Sequence, residues 1–431
     1  MPSSTPRVGL ALSGGGYRAT AFHLGTLHKL HELGLLSRID IISTISGGSI
    51  TGAAYAVSPA QDFNSFYNGL YNGLQTKNVI SRVIFSWMML RLILFSLLFL
   101  APAVYALFTC YAWLFPLLLA IWIWLLLKFQ FYIFPVSKLI EKIYDRFFYS
   151  GTTLSQLPDH PVLVVGSTNL QTAKPFTFSK KWMGDSAYEY LKEPVRFSAG
   201  NFPVARAVMA SSCVPFAFTP VKIDRQFFVN PDQAKEYHPL LVDGGVYDNQ
   251  GIHKVVVQGR YDCDIVITSD AGGGSTGEMK FSNTISLLIE TVNVFMSRIK
   301  KAQMVQNVYD NAGTANKEIA YFSLAWDVEN CIPGFIDNLA KKQITPQVIA
   351  AHALRPEWVA DPRQFKDEIE AYLKQRLNYA AIPKPSEMEK QIARNVGTNL
   401  TALSRHKIDC LIKQAQALTE LQVKLYCPSL F

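Results

Sequence analysis

The chain has 431 residues, with 41 lysines and arginines against 33 aspartates and glutamates, which gives a formal net charge of +8. Hydrophobic residues make up 49% and charged residues only 17%, which excludes the charge-rich, apolar-poor composition of a disordered protein. Six cysteines without a C-x-x-C pair exclude a disulfide scaffold and the usual zinc or thioredoxin-type sites. No basic–aromatic pattern of RNA-binding modules occurs, so we expect no nucleic-acid partner.

The N-terminal part alternates short apolar runs with glycine-rich turns. Residues 8–12 and 39–43 are expected to form buried strands, and residues 17–36 between them have helical periodicity. This order predicts a βαβ unit with two parallel strands. The turns after these strands, residues 13–16 and 44–48, should therefore meet at one edge of the sheet, where α/β proteins place their sites.

A long apolar segment interrupts this α/β pattern, because residues 92–127 contain no charged side chain. As one helix the run would be about 54 Å long, whereas a bilayer crossing needs about 20 residues. We therefore predict a helical hairpin within residues 83–135, either transmembrane with two spans or re-entrant. The alternative is a buried helical pair in a soluble core.

Basic residues flank the apolar segment on both sides: Lys77, Arg82, Arg91, Lys128, Lys138 and Lys142. By the positive-inside rule, both ends of the hairpin are expected to face the cytoplasm. The N-terminal apolar run before the glycines is too short for a signal peptide, so the first part of the chain is expected to stay in the cytosol as well. The resulting prediction is a membrane protein whose remaining domain faces the cytoplasm.

Further elements are expected after the hairpin. Strands are predicted at four apolar runs: 161–166, 176–179 as a pairing partner of the first, 263–268 and 319–324. Helices are predicted at residues 204–212, at 283–308 and over most of 356–431, with the clearest pieces at 367–376 and 399–425. The fold class is therefore α/β, with a parallel sheet, helices on both faces and a helical C-terminal tail.

The second turn carries a candidate nucleophile, Ser46. The sequence Thr44-Ile-Ser46-Gly-Gly48 is similar to the G-x-S-x-G elbow, which exposes a serine between a strand and a helix, but Thr44 replaces the first glycine. The Gly47 N–H and the helix dipole could stabilise an oxyanion there. Ser49, about one helical turn further on, is the rival nucleophile.

The first turn offers the backbone of Gly14, Gly15 and Gly16. Consecutive glycines ahead of a helix present several N–H groups to an anionic oxygen, which is what a tetrahedral intermediate needs. A phosphate cradle is the alternative, but the Lys-Ser/Thr of a P-loop is missing.

A carboxylate follows a short apolar run at Asp243, in the sequence Asp-Gly-Gly. It could accept the serine proton directly, although Asp-Gly is also a common turn sequence. A Ser-His-Asp triad with His253 is the rival arrangement. The carboxylates Asp248, Asp270 and Glu290 are expected to lie at the surface or to cap helices. No EF-hand loop occurs, and neither a metal nor a cofactor is expected.

Taken together and in this order, the motifs resemble those of the patatin-like phospholipase family. Residues 13–18 look like its glycine-rich motif, with Ala19 where a further glycine is usual, residues 44–48 like its nucleophile elbow, and residues 243–245 like its D-G-G/A motif. Residues 167–170 and 207–215 are similar to further family segments.

The resemblance covers most of residues 7–270. It implies one domain over residues 5–431, interrupted by the hairpin, with residues 356–431 as its mainly helical C-terminal part.

The resemblance also implies a mechanism. Ser46 attacks an ester carbonyl, Asp243 acts as the base without a histidine, and an acyl-enzyme forms and is hydrolysed. The implied oxyanion hole consists of four glycines: Gly14, Gly15, Gly16 and Gly47. Arg18 could orient a phosphate or stabilise the glycine loop.

The expected function is a membrane-associated serine hydrolase of lipid acyl esters. Its partners would be the lipid bilayer and an acyl-lipid substrate, namely a membrane phospholipid, a lysophospholipid or an acylglycerol. Two alternatives stay open: a catalytically inactive, membrane-anchored lipid-binding or scaffolding protein, and an acyltransferase that uses the same residues.

Overall fold

The computed structural model describes residues 6–58, 62–272 and 283–431, and within them the chain forms one sheet of nine strands surrounded by helices. The strands are β1 Val8–Leu12, β2 Ile41–Ile45, β3 Val162–Asn169, β4 Lys174–Phe178, β5 Met183–Gly184, β6 Val221–Lys222, β7 Leu240–Asp243, β8 Ile265–Asp270 and β9 Glu318–Ser323. The helices are α1 Gly16–Glu32, α2 Gly47–Val57, α3 Phe63–Thr76, α4 Val79–Ile84, α5 Trp87–Ala106, α6 Leu114–Ile133, α7 Val136–Tyr144, α8 Ser186–Glu189, α9 Val204–Ser211, α10 Gly245–Asp248, α11 His253–Val256, α12 Thr284–Met304, α13 Cys331–Ala340, α14 Pro346–Ala351, α15 Pro356–Ala360, α16 Lys366–Arg376, α17 Glu387–Arg394 and α18 Arg405–Tyr426.

The sheet is mixed, with a parallel centre. Its order is β5-β4-β3-β2-β1-β8-β9, and the five strands β3, β2, β1, β8 and β9 run parallel to one another. This confirms the predicted α/β class. The predicted parallel sheet is present as the centre, and β4, β5, β6 and β7 extend it with antiparallel pairings. The connection from β3 to β4 is only four residues long, and such a short connection permits only a hairpin.

Both faces of the parallel centre are covered. On one face, α1 packs against α2 and against the C-terminal helix α18. The approach to α18 is close, because a Cβ on Gly25 of α1 would lie 2.7 Å from the main-chain oxygen of Ile412. On the other face, Ile252, Val255 and Cys263 cover apolar side chains of the strands.

The apolar segment forms the predicted helical hairpin, α5 and α6, joined by a turn. Trp87–Ala106 and Leu114–Tyr149 are two helical runs that are long and apolar enough to cross a membrane, each with a mean hydropathy of 2.0. Only 6% and 0% of their most apolar windows are buried in the protein, so the alternative of a buried pair in a soluble core does not fit. The two arms contact each other near small side chains such as Ala103, and Arg91 donates a hydrogen bond to the main-chain oxygen of Tyr132 (3.3 Å).

Several predicted boundaries shift. The second strand starts at Ile41 and runs to Ile45, so Thr44 lies in the strand and not in the turn. The first helix ends at Glu32, ahead of Gly34, whose φ of 71° breaks the helix. Helices α3 and α4 and the short strands β5 and β6 were not anticipated.

Candidate active site

Ser46 occupies a strained turn between β2 and α2. Its backbone has φ 50° and ψ −116°, a conformation that costs a non-glycine residue about 1–3 kcal/mol and persists only where the surroundings enforce it. Here the Ser46 N–H donates to the Ser211 Oγ (2.9 Å), and the Gly48 N–H donates to the Ser13 main-chain oxygen (3.0 Å). The serine is 7% exposed and stands at the N-terminus of α2.

The glycine turn after β1 lies directly against the Ser46 turn. A Cβ on Gly47 would lie 2.2 Å from the Gly16 main-chain oxygen, and a Cβ on Gly14 would lie 3.3 Å from the Ser46 Cβ. Glycine at these positions is therefore what allows the two turns to touch. They meet because β1 and β2 are parallel neighbours, so that both turns follow carboxyl ends of strands.

Three of the four glycine N–H groups are available at this contact. The Gly14 N–H is engaged, because it donates to the Asn249 main-chain oxygen (2.9 Å). The N–H groups of Gly15, Gly16 and Gly47 have no hydrogen-bond acceptor in the described part of the chain. Since α1 begins at Gly16 and α2 at Gly47, these donors also lie at positive ends of helix dipoles.

The sheet register brings Asp243 to the same place. The first half of β3 pairs with β2, and Ile45 lies opposite Gly166. One residue further along β3, Ser167 lies opposite Asp243 of β7, so β7 continues the sheet where β2 ends. Ser46 and Asp243 thus emerge beside the same point of β3, although almost 200 residues separate them.

The Asp243 carboxyl is buried and has a raised pKa. Only 4% of the residue is exposed, and this burial raises the pKa of the carboxyl from 3.8 to about 6. The hydrogen bond donated by the Gly245 N–H (2.7 Å) and the nearby Ser46 side chain act in the opposite direction and lower the pKa. The side chain of Met296 in α12 packs close to Gly245 and covers this segment. The Asp243 carboxyl is thus a buried group next to the Ser46 side chain.

Arg18 lies on the first turn of α1, behind the glycine turn. Its Nη1 donates to the Val396 main-chain oxygen (3.3 Å), and its Nη2 would lie 3.4 Å from a Cβ on Gly15. Burial lowers the pKa of the guanidinium, and the charge of Asp270 opposes this effect. The Nε is buried without a partner in the described part of the chain, so Arg18 still has donor capacity beside the turn.

Asp270 does not lie at the surface, contrary to the sequence-based expectation. It is fully buried at the end of β8, forms an ion pair with Lys300 of α12 and accepts a hydrogen bond from the Tyr321 hydroxyl (2.6 Å). Asp248 does cap a helix, since its carboxylate accepts the main-chain N–H of His253 at the start of α11 (2.8 Å). Glu290 lies on the partly exposed helix α12.

The rival residues have other neighbours. Ser49 is fully buried, and its hydroxyl is hydrogen-bonded to the Thr44 Oγ1 (3.0 Å) and the Ser211 Oγ (2.9 Å). The His253 ring packs edge-on against Tyr247, and burial lowers its pKa to about 4. Within the described residues, no hydrogen bond joins its ring to Ser46 or Asp243.

Thr44, which replaces the first glycine of the G-x-S-x-G pattern, fits into the structure. A Cβ on Gly52 of α2 would lie 2.5 Å from the Thr44 Cγ2, so the missing side chain of Gly52 leaves the room that the threonine methyl fills. The Thr44 hydroxyl donates to the Val164 main-chain oxygen (3.3 Å) on the neighbouring strand. Thr44 therefore packs inside the sheet and leaves the Ser46 turn intact.

Three supporting residues were not identified as part of the site from the sequence. Ser211 holds the Ser46 N–H, Asn249 holds the Gly14 N–H, and Asn399 accepts the Tyr17 N–H (2.9 Å) at the start of α1. Ser211 lies in residues 207–215, which are similar to a family segment, and Asn249 follows the D-G-G/A motif by a few residues. Asn399 lies in the C-terminal region and carries no sequence signal.

A comparison with protein-family models matches the part of the chain that carries these residues. The model described as patatin-like phospholipase matches residues 10–256, which contain the glycine turn, the Ser46 turn and Asp243. The chain belongs to the patatin-like phospholipase family. The matched region is thus a patatin-like phospholipase domain, with the apolar hairpin inside it. A search of curated proteins finds no match.

Solved structures with similarity to this chain are also known. The structure of human GIVD cytosolic phospholipase A2 is similar to this chain, with a TM-score of 0.50 and 12% sequence identity. The similarity covers 100% of this chain and 63% of the human one. The same human enzyme with methyl gamma-linolenyl fluorophosphonate matches with a TM-score of 0.45 and 14% identity, over 99% and 58%. VipD from Legionella pneumophila matches with a TM-score of 0.32 and 14% identity, over 99% and 87%. The chain therefore spans less than two thirds of the length of the human enzyme.

Proposed function

We propose that this chain is a membrane-associated serine lipid acyl hydrolase with a Ser46–Asp243 dyad. The observation that carries the proposal is that the sheet register brings Ser46 beside the buried Asp243 carboxyl, whose pKa is raised to about 6. A base with a pKa near the working pH is ionised and still basic enough to take a proton in the transition state. The three available N–H groups beside Ser46 supply the oxyanion donors.

The residues support a two-step reaction. The Asp243 carboxylate takes the hydroxyl proton while the Ser46 Oγ attacks the ester carbonyl carbon, and the carbonyl oxygen becomes an oxyanion. Collapse of this intermediate breaks the ester C–O bond, and the leaving alcohol receives the proton from Asp243. Water then attacks the acyl-enzyme with Asp243 again as base, and the products are the free fatty acid and regenerated Ser46.

The oxyanion would be held by the N–H groups of Gly15, Gly16 and Gly47. Gly14 contributes by its lack of a side chain, which keeps the glycine turn against Ser46. Arg18 is placed to support this turn or to attract a substrate phosphate.

The hairpin supports a substrate that resides in a bilayer. Its exposed apolar side chains would be stable in lipid and unfavourable in water, and its basic flanks favour a cytoplasmic position of the catalytic domain. We therefore propose a membrane phospholipid, lysophospholipid or acylglycerol as the substrate. The domain would extend over residues 5–431, with the hairpin inserted and the C-terminal helices included.

The proposal is tested by fluorophosphonate labelling of the detergent-solubilised protein. Ser46→Ala should abolish labelling, and Asp243→Asn should slow it strongly. Ser49→Ala is the matched control, because this serine lies on the same helix with its hydroxyl turned to Thr44 and Ser211. Equal labelling of the wild type and Ser46→Ala would refute the dyad.

Product analysis then separates the alternatives. Release of free fatty acid from a phospholipid or acylglycerol supports a hydrolase, whereas transfer of the acyl chain to an added alcohol acceptor would identify an acyltransferase. A folded protein that binds lipid but is never labelled would identify the inactive lipid-binding alternative.

A further inference from the structure

A cavity of about 540 Å³ lies at the base of the hairpin, apart from the Ser46–Asp243 site. Arg91 from the start of α5, Tyr132 from the end of α6 and Lys138 from α7 form one side of it. Lys222 and Arg206, from the opposite part of the α/β domain, form the other side.

The hairpin fixes the depth of this cavity relative to a bilayer. The uncharged segment begins directly after Arg91, so the hydrocarbon would begin there and the polar headgroups would lie at the level of Arg91 and the cavity. Tyr132 and Phe131 are exposed aromatic side chains at this level, which is where tyrosine is enriched in membrane proteins. This placement rests on the membrane association proposed above.

The cavity has an excess of positive charge. Its two acidic residues, Glu141 and Asp224, both pair with Arg206, at 3.0 Å and 2.6 Å. Lys138 and Lys222 have no acidic partner in the described part of the chain, and Arg91 donates only to main-chain oxygens of α6. Four cations thus face two carboxylates around one opening, which leaves a net charge of +2.

The remaining lining is mostly apolar, with Ser137 and Thr219 as polar exceptions, and suits the glycerol and upper acyl carbons of a lipid. Pro135 and Pro220 form rigid walls, and Phe131 contributes an aromatic face. A ligand that fits both the cationic and the apolar part of the cavity carries a negative charge at one end and an apolar chain at the other.

We propose that this cavity binds the phosphate-bearing headgroup of an anionic membrane phospholipid, with Lys138 and Lys222 as phosphate ligands and Arg91 beside them. Bound lipid would hold the α/β domain at a fixed orientation above the bilayer. The site would be used by lipids that are not being hydrolysed, since none of its lining residues belongs to the Ser46–Asp243 site.

The test measures binding to a protein that cannot turn the lipid over. In the Ser46→Ala background, affinity in mild detergent is measured for short-chain phosphatidylglycerol, short-chain phosphatidylcholine and inorganic phosphate. We expect phosphatidylglycerol to bind more tightly than phosphatidylcholine, and inorganic phosphate to bind far more weakly than either. Lys138→Gln/Lys222→Gln should weaken phosphatidylglycerol binding about 30-fold, since a lysine near an anionic lipid surface contributes about fivefold.

Two control variants test whether binding depends on the position of the two lysines and on their positive charge. Lys366→Gln/Lys407→Gln removes the same net charge from two exposed lysines elsewhere and should leave binding unchanged. Lys138→Arg/Lys222→Arg should retain it, which excludes misfolding as the cause of a loss. Equal phosphatidylglycerol binding by the Lys→Gln variant, or equal affinity for inorganic phosphate and lipid, would overturn the proposal. Fluorophosphonate labelling of the Lys→Gln variant with Ser46 intact tests the dyad separately.

Discussion

At the scale of single residues, the raised pKa of Asp243 predicts a pH dependence of activity. Below a pH of about 6 the carboxyl is protonated and can no longer take the Ser46 proton. The kcat/KM for a short-chain ester should therefore fall about tenfold per pH unit on the acidic side of this value and level off above it. A rate that is flat between about pH 5 and pH 8 would contradict Asp243 as the base, and Asp243→Asn should show only a low rate without this inflection.

The same carboxyl predicts a trade-off with stability. The folded pKa of about 6 lies above the ordinary value of 3.8, so the folded state holds the proton more tightly and stability falls as the pH rises through this window. Ionised, buried Asp243 lowers the stability of the wild type by up to about 3 kcal/mol at neutral pH. We expect Asp243→Asn to unfold at a higher temperature than the wild type near pH 8, and the difference to shrink near pH 4. A difference independent of pH would contradict this.

The fit of Thr44 against Gly52 gives a prediction about the altered elbow. Gly52→Ala should cost about 1–3 kcal/mol, because the new methyl would overlap the rigid, β-branched Thr44 side chain. Thr44→Ala in the same chain should recover part of this loss, which urea unfolding of the two single variants and the double variant measures. Gly69→Ala is the control, since nothing lies within 4 Å of that position and alanine favours the helix. Strictly additive losses would rule out the contact.

The sequence predicted that the Ser46 turn and the glycine turn meet, because turns after neighbouring parallel strands converge. The role of Asp243 came from the family resemblance, because β7 runs antiparallel to its neighbours. The sequence did not predict that the Gly14 N–H is engaged, because its acceptor is the main-chain oxygen of Asn249, which is distant in the sequence. It also placed Asp270 at the surface, since the partner that allows its burial, Lys300, lies on a different element. Local sequence patterns identify reactive side chains. Their hydrogen-bond and ion-pair partners depend on the tertiary structure and cannot be identified in this way.

At the scale of elements, the hairpin predicts the accessibility of one cysteine. Cys110 lies in the turn between α5 and α6 and is the exposed one of the six cysteines; the other five are buried. Each arm of 20 residues is about 30 Å long, which matches the hydrocarbon core of a bilayer. We therefore expect two spans, with Cys110 on the face opposite the catalytic domain.

A membrane-impermeant maleimide applied to membrane vesicles of both orientations checks this. Labelling should occur from the side opposite the catalytic domain and disappear in Cys110→Ser. Labelling only after detergent is added would instead indicate a re-entrant hairpin that stops inside the bilayer.

Arg91 and Lys128 shorten the uncharged part of each arm, so two spans require their long side chains to reach towards the headgroups.

Among the elements, long periodic segments could be predicted and short connecting ones could not. The run that became α12 and the apolar run that became β8 were anticipated within a few residues. Strands β5 and β6 have two residues each, too few for any periodicity to show. The antiparallel direction of β7 depends on where the chain returns to the sheet, which residues 220–243 do not encode locally.

At the scale of the whole molecule, the contact between α1 and α18 couples the two ends of the chain. Because α18 lies against Gly25, a Cβ there would stand 2.8 Å from the Ile412 Cα and 2.9 Å from the Ala415 Cβ. The loop at Asn399 also accepts a hydrogen bond at the start of α1, next to the glycine turn. The C-terminal region thus supports the turn that carries two of the three proposed oxyanion donors.

This coupling predicts that residues 356–431 unfold together with the catalytic part. Gly25→Ala should push α18 away and lower the free energy of unfolding by about 1–3 kcal/mol, while Gly334→Ala, where nothing lies within 4 Å, should change it little. Hydrogen exchange should show the same loss of protection in peptides from α18 and from β1, because a single cooperative unit opens as a whole. If only α18 loses protection, the C-terminal region is a separate unit that is docked onto the hydrolase core.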